Sequence, residues 1–170
     1  MSRGPGRVEQ IIEAAFRASP DDAFMVDELA ALAFHGINLP DKKHRVSVGR
    51  AARKVAARLG WTWRYRDHQG GASVYYNPLS VRSHGLAFAL AHDDGGKTEA
   101  LMALADPESH HWRSMQPGGV FHLHVAMYRA ELAGDQDEHD RLNDKLIEAV
   151  HGRPPAIPTA ERRARGVLKR

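Results

Sequence analysis

Apolar residues first recur with helical spacing at Val8, Ile11, Ile12, Ala15 and Phe16, the i, i+3, i+4, i+7, i+8 stripe of an amphipathic helix over 7–18. Gly4-Pro5-Gly6 precedes it and Ser19-Pro20-Asp21-Asp22 follows, so both ends are punctuated. Leu29, Leu32 and Ala33 predict a second helix over 26–34, with Asp27 and Glu28 in the first turn, where the helix dipole favours acids. His35-Gly36-Ile37-Asn38 breaks it. A third, longer helix is predicted from Pro40-Asp41 to Leu59, with Gly60 at its C-cap. Val48, Ala52, Val55 and Leu59 fall within an arc of about 60° on that helix. Lys43, Ser47, Arg50, Lys54 and Arg58 gather on the other side, flanked by Arg53.

The period then changes from helical to alternating. In WTWRYR, Trp61, Trp63 and Tyr65 share one face and Thr62, Arg64 and Arg66 the other. DHQGG supplies turn residues, ASVYYN is a second β-prone run, and Pro78 ends the ladder, which predicts a β-hairpin. Alternating Trp, Trp and Tyr on one strand face is expected to pack under the hairpin, with the arginines outward. Further on, TEALMALA predicts a short helix over 98–105 stopped by Asp106-Pro107. A longer one fits 119–133, apolar on two sides through Phe121, Val125, Tyr128 and Leu132, and through Leu123 and Met127. Asp135 and Glu138 form a capping pair for a last helix to Val150, with Leu142, Leu146, Ile147 and Val150 inward. GLAFALAH, 85–92, fits a strand or a helix equally well. The fold class expected is mainly α with one β-hairpin.

Charge divides the chain into three parts. Residues 1–82 carry 13 Lys and Arg against 8 Asp and Glu, residues 83–150 carry 5 against 12, and residues 151–170 carry 6 against 1. This predicts a basic module (1–82), an acidic helical module (83–150) for dimerisation or partner binding, and a basic, flexible tail (151–170). The proline-rich start of that tail argues for disorder in isolation. It would either attract phosphates non-specifically or dock on an acidic module of its own or another chain. Within the first part, the 25 residues from Lys42 to Arg66 hold nine Lys or Arg and no acid. Random mixing would place about three acids there.

Composition excludes some chemistry. The chain of 170 residues has no cysteine, so no disulfide framework and no thiolate metal site. The longest apolar run, GLAFALA, is far too short to span a bilayer, and the first residues lack the apolar core of a secretion signal. A cytoplasmic protein with no membrane partner is expected. No phosphate-binding loop, dinucleotide fingerprint or nucleophile elbow is present, so no enzyme activity, catalytic residue or cofactor is expected. Six of the eleven histidines (His84, His92, His110, His111, His122 and His124) lie within 41 residues. On a helix His122 and His124 point about 200° apart and cannot share one ion, so no metal site is expected.

Helix, helix, basic helix and hairpin, with FMVDELAALA leading into the second helix, resembles the winged helix-turn-helix superfamily of DNA-binding proteins over residues 7–80. The stretch between the second and third helices, HGINLP, is longer than that family's usual turn. The resemblance implies a third helix in the major groove of double-stranded DNA and a wing against the backbone or minor groove. Carried onto this chain, the groove-facing candidates are Lys42, Lys43, Arg45, Ser47, Arg50, Arg53, Lys54 and Arg58, and the wing candidates are Arg64, Arg66, His68 and Gln69. Arginine would read guanine bidentately, while lysines and Ser47 would hold phosphates. A homodimer through residues 98–150 would match palindromic half-sites. The function expected is sequence-specific DNA binding in transcription regulation, by operator occupancy. Two alternatives stay open: an architectural, replication or RNA-binding protein, and an interaction module whose basic face meets an acidic protein.

Overall fold

The computed structural model describes residues 6–35, 41–67, 73–93 and 95–167, and the chain forms two compact units, divided between Ala105 and Asp106. The first unit therefore runs past the boundary expected after residue 82. The reason is the GLAFALA segment, which is a helix and packs on the sheet of the first unit.

In the first unit α1 (Arg7–Ala18), β1 (Ala23–Met25), α2 (Val26–Ala33) and α3 (Lys42–Leu59) precede the two hairpin strands β2 (Thr62–Tyr65) and β3 (Ser73–Tyr76). The sheet is antiparallel with three strands in the order β1-β3-β2. One strand more than the expected hairpin is thus present. β1 is only three residues long and gains its ladder from β3, where Phe24 lies opposite Tyr75 and Met25 opposite Val74. On the other side of β3, Trp63 lies opposite Tyr75 and Arg64 opposite Val74.

These registers sort the sheet into two faces, because successive side chains alternate. Phe24 and Tyr75 project toward α1–α3, and Trp63 lies on the same face outside the buried core, 37% exposed. Ile12, Phe16, Leu29, Ala30, Val48, Ala52, Val55 and Trp61 complete that core, and the rings of Phe16 and Trp61 stack at 4.1 Å. Burial of this set is the main force holding the three helices to the sheet.

The opposite face is covered by α4 (Val81–His92), whose Leu86, Ala87, Ala89 and Leu90 are all buried. An apolar helix with no polar stripe requires such a cover on more than one side. Ser80 caps it, accepting from Ser83 N–H, and ties it to the turn before β1. Its hydroxyl donates to Asp21, Ser83 Oγ donates to the Asp22 carbonyl, and Asn77 Nδ2 donates to the Pro20 carbonyl. α5 (Lys97–Ala105) follows, and Lys97 Nζ lies 3.0 Å from both Asp22 and Glu28 while sitting over the Phe24 ring.

The second unit contains α6 (His110–Met115), α7 (Val120–Ala133), α8 (Gln136–His151) and α9 (Thr159–Ala164). α7 and α8 form an antiparallel pair around Leu123, Ala130 and Leu142, turned by Gly134 at φ 69°, a conformation that suits glycine. Asp135 caps α8 through Glu138 N–H, as its sequence suggests. The C-terminal segment, expected to be a flexible tail, is ordered through residue 167 and includes α9. Thr159 N–H donates to Asp144 at 2.9 Å, Asn143 Nδ2 donates to Thr159 Oγ1, and Arg163 reaches Asp140, so acids on α8 hold the segment. Among the described residues, no helix is long and apolar enough to cross a membrane.

Candidate nucleic-acid interface

α3 owes its start to Asp41, whose carboxylate accepts the His44 N–H at 2.8 Å, and its end to Gly60 at φ 71°. That backbone hydrogen bond holds the Asp41 carboxyl below its ordinary value. Val48, Ala51, Ala52, Val55 and Ala56 are buried, and the small side chains among them allow α1 and α2 to approach closely. Tyr75 fixes the helix against the sheet by donating from its hydroxyl to the Gly49 carbonyl at 3.1 Å, and burial pushes that hydroxyl's pKa up. The outer side carries Lys42, Lys43, Ser47, Arg50, Arg53, Lys54 and Arg58, all exposed.

These cations are not equivalent. Lys54 Nζ lies 3.3 Å from Glu9, and Arg58 bonds Glu13 and lies 3.8 Å from Glu9. Arg45 Nε lies 3.1 Å from Asp27. The C-terminal half of the stripe is thus balanced by α1, and Arg45 by α2. Lys42 and Arg50 have no acidic partner among the described residues, and Lys43 stands near only the capping Asp41. Together with Ser47, Lys54 and Arg7 they line a groove of about 810 Å³ between α3 and the start of α1. Its floor includes Val46, an apolar side chain 46% exposed in the middle of the basic face.

On the hairpin, the expected assignment of faces is reversed. Arg64 is half-buried, its guanidinium between the Tyr76 and Phe88 rings at 5.4 and 5.3 Å. Arg66 is buried, donating from Nε to the Leu90 carbonyl at 2.8 Å and from Nη2 to the Gly95 carbonyl at 3.3 Å. Both therefore lie on the face that α4 covers, not on the outward face expected of them. Trp61 is buried as expected, but Trp63 and Tyr65 are 37% and 56% exposed. Arg53 spans them, with its guanidinium 5.7 Å over the Trp63 ring and 3.4 Å from the Tyr65 hydroxyl. Alternation alone identifies the two faces; only the apolar GLAFALA segment hints that the arginine face is the covered one. His68 and Gln69 lie outside the described residues.

The histidines are dispersed among structural roles. His84 is buried with its ring edge-on to Tyr76, His92 Nδ1 bonds Asp67, and His111 is buried near Phe121. Among the described residues, no group of three His, Asp or Glu side chains converges on one point.

What the arrangement offers is an exposed helix face with free lysine and arginine donors, a hydroxyl and one exposed apolar side chain. Such donors suit phosphate oxygens and base edges. Comparison with protein-family models, with curated proteins and with solved structures finds no match for this chain.

Proposed function

We propose that the first unit is a winged helix-turn-helix module that binds double-stranded DNA through α3 and regulates transcription by operator occupancy. The element order α1-β1-α2-α3-β2-β3 and the strand order β1-β3-β2 support this reading. The observation that carries it is the exposed cluster of Lys42, Lys43 and Arg50 beside Ser47, on a helix with no acid between Lys42 and Leu59. Exposed cations at this density, two of them without an acidic partner among the described residues, attract a polyanion by releasing its counterions. The proposed contact set is narrower than the sequence suggests. It centres on Lys42, Lys43, Ser47, Arg50 and Arg53, while Lys54, Arg58 and Arg45 are engaged by acids, Arg64 is half-buried against Tyr76 and Phe88, and Arg66 is buried.

The test is fluorescence anisotropy on a blunt random-sequence duplex across a salt series, for the full chain and for Lys43→Ala/Arg50→Ala. Wild type should bind with log K falling steeply in log salt, and the double variant should lose about 0.9 of slope per phosphate contact removed. An operator is then identified by a preference of at least about 10³ over random duplex. The rival reading, an acidic protein partner, draws on the three acid–base pairs that mute the flanks of the basic face. It gives no salt-dependent duplex binding in the same titration.

A further inference from the structure

The exposure of Trp63 and Tyr65 serves no evident packing need. Neither belongs to the buried core, where Phe16 stacks on Trp61, and Trp63 meets Tyr75 in a tilted contact at 6.2 Å between centroids while staying 37% exposed. The two aromatics lie two residues apart on one strand, hence about 6.6 Å apart along it and on the same face. Arg53 ties them to α3, and Arg50 is one helical turn away on the same side of that helix. The result is a ledge of two π-surfaces and a guanidinium, continuous with the cations proposed to hold phosphates.

We infer that this ledge takes unpaired nucleobases, so that the chain engages duplex DNA next to a short single-stranded stretch. The inference rests on the DNA-binding reading above and names a further part of its ligand. An unpaired base offers a π-face to Trp63 or Tyr65 and a phosphate to Arg53 at once. Stacked base pairs inside a duplex offer no such face. An acidic peptide would pair with Arg53 but would leave both rings unused. Stacking on aromatics tolerates any base, so this contact adds affinity without adding sequence readout.

The experiment compares three probes by anisotropy with the full chain: a blunt duplex, the same duplex with an oligothymidine overhang, and the same duplex with an abasic overhang of equal length. The abasic overhang keeps the phosphates and removes the bases. Wild type should prefer the oligothymidine overhang to the abasic one by about tenfold, the order of one stacked base. Trp63→Ala should bring that ratio near unity, Trp63→Phe should retain most of it, and Tyr65→Ala, at a more exposed position, should lower it. Equal affinity for the two overhangs, or a ratio untouched in both alanine variants, overturns the inference while duplex binding stands. Binding to oligothymidine without any to the blunt duplex keeps the ledge and removes the duplex reading. Absence of binding to all three probes removes both.

Discussion

The guanidinium of Arg163 donates from Nε and Nη2 to the two carboxylate oxygens of Asp140, at 3.1 and 2.5 Å, and Asp140 is buried. This fork joins the C-terminal helix to α8. It is one contact within a unit whose charges balance, since residues 106–170 carry 10 Lys and Arg against 10 Asp and Glu. The basic tail and the acidic helices are two halves of one neutral body.

Arg163→Ala leaves the Asp140 carboxylate buried with only Gln136 and His139 nearby. Breaking a buried pair from one side costs about 3 kcal/mol, and the partial exposure of Arg163 reduces this to about 2 kcal/mol. Hydrogen exchange should show α9 opening first, followed by faster exchange along α8. Unchanged protection in α9 would mean that Thr159 and its contacts to Asp144 hold the segment alone.

Arg66→Ala should destabilise the first unit by about 2 kcal/mol, because charge-assisted bonds to the Leu90 and Gly95 carbonyls are lost from a closed site. A lower melting temperature with an unaltered duplex salt slope is the expected pair of results. A reduced slope at full stability would return Arg66 to the ligand-facing side.

Glu9→Gln/Glu13→Gln releases Lys54 and Arg58 from α1. Duplex affinity should rise at low salt, with the slope steeper by about 0.9 for each cation that reaches a phosphate. The melting temperature should fall only slightly, as exposed pairs contribute about 0–1 kcal/mol. Weaker binding would show that the α1 acids orient the two cations toward DNA.

The Glu13 carboxyl is held below its ordinary 4.5 by the hydrogen bond from Arg58 and then by that from Arg17. A lowered folded pKa means that its contribution is complete above the ordinary carboxylate range and is lost as pH falls through the lowered value. Acid titration should therefore loosen α1 from the end of α3 below about pH 4.5, and Glu13→Gln should remove that part of the pH dependence. Amide protection in α1, followed from neutral to acid pH in both proteins, checks it.

Much of the fold is legible where one element carries its own signals. Asp41 and Gly60 mark the ends of α3 within a residue, and Val48, Ala52 and Val55 mark its inner face. β1 is not legible, since Ala23-Phe24-Met25 is too short for a period and exists only because β3 lies beside it. The hairpin shows the limit more sharply. Its two faces are plain in WTWRYR, yet which one faces solvent depends on α4, whose all-round apolar pattern fits strand or helix. α9 eluded the composition because its order comes from Asp140 and Asp144 on α8, and Pro158, which reads as a breaker, stands at its N-cap. At the candidate site the cations of α3 were visible, but their neutralisation by Glu9, Glu13 and Asp27 was not, since those acids lie far off in sequence.

The hydroxyl of Ser80 binds Asp21 across 59 residues of chain, and the central strand β3 takes its partner β1 from a similar distance. Pairings that span so much chain form late, because the loop must close before the contact yields anything. In the second unit, by contrast, α7 and α8 meet through a single tight turn. During synthesis the basic helix α3 therefore emerges well before the strand and helix that complete its support. A chain halted before residue 81 would expose Val74, Tyr76, Arg64 and Arg66 without their cover. The interval between making α3 and finishing α4 thus leaves one face of the sheet uncovered, and a substitution that weakens α4 should reduce soluble yield before it changes any ligand contact.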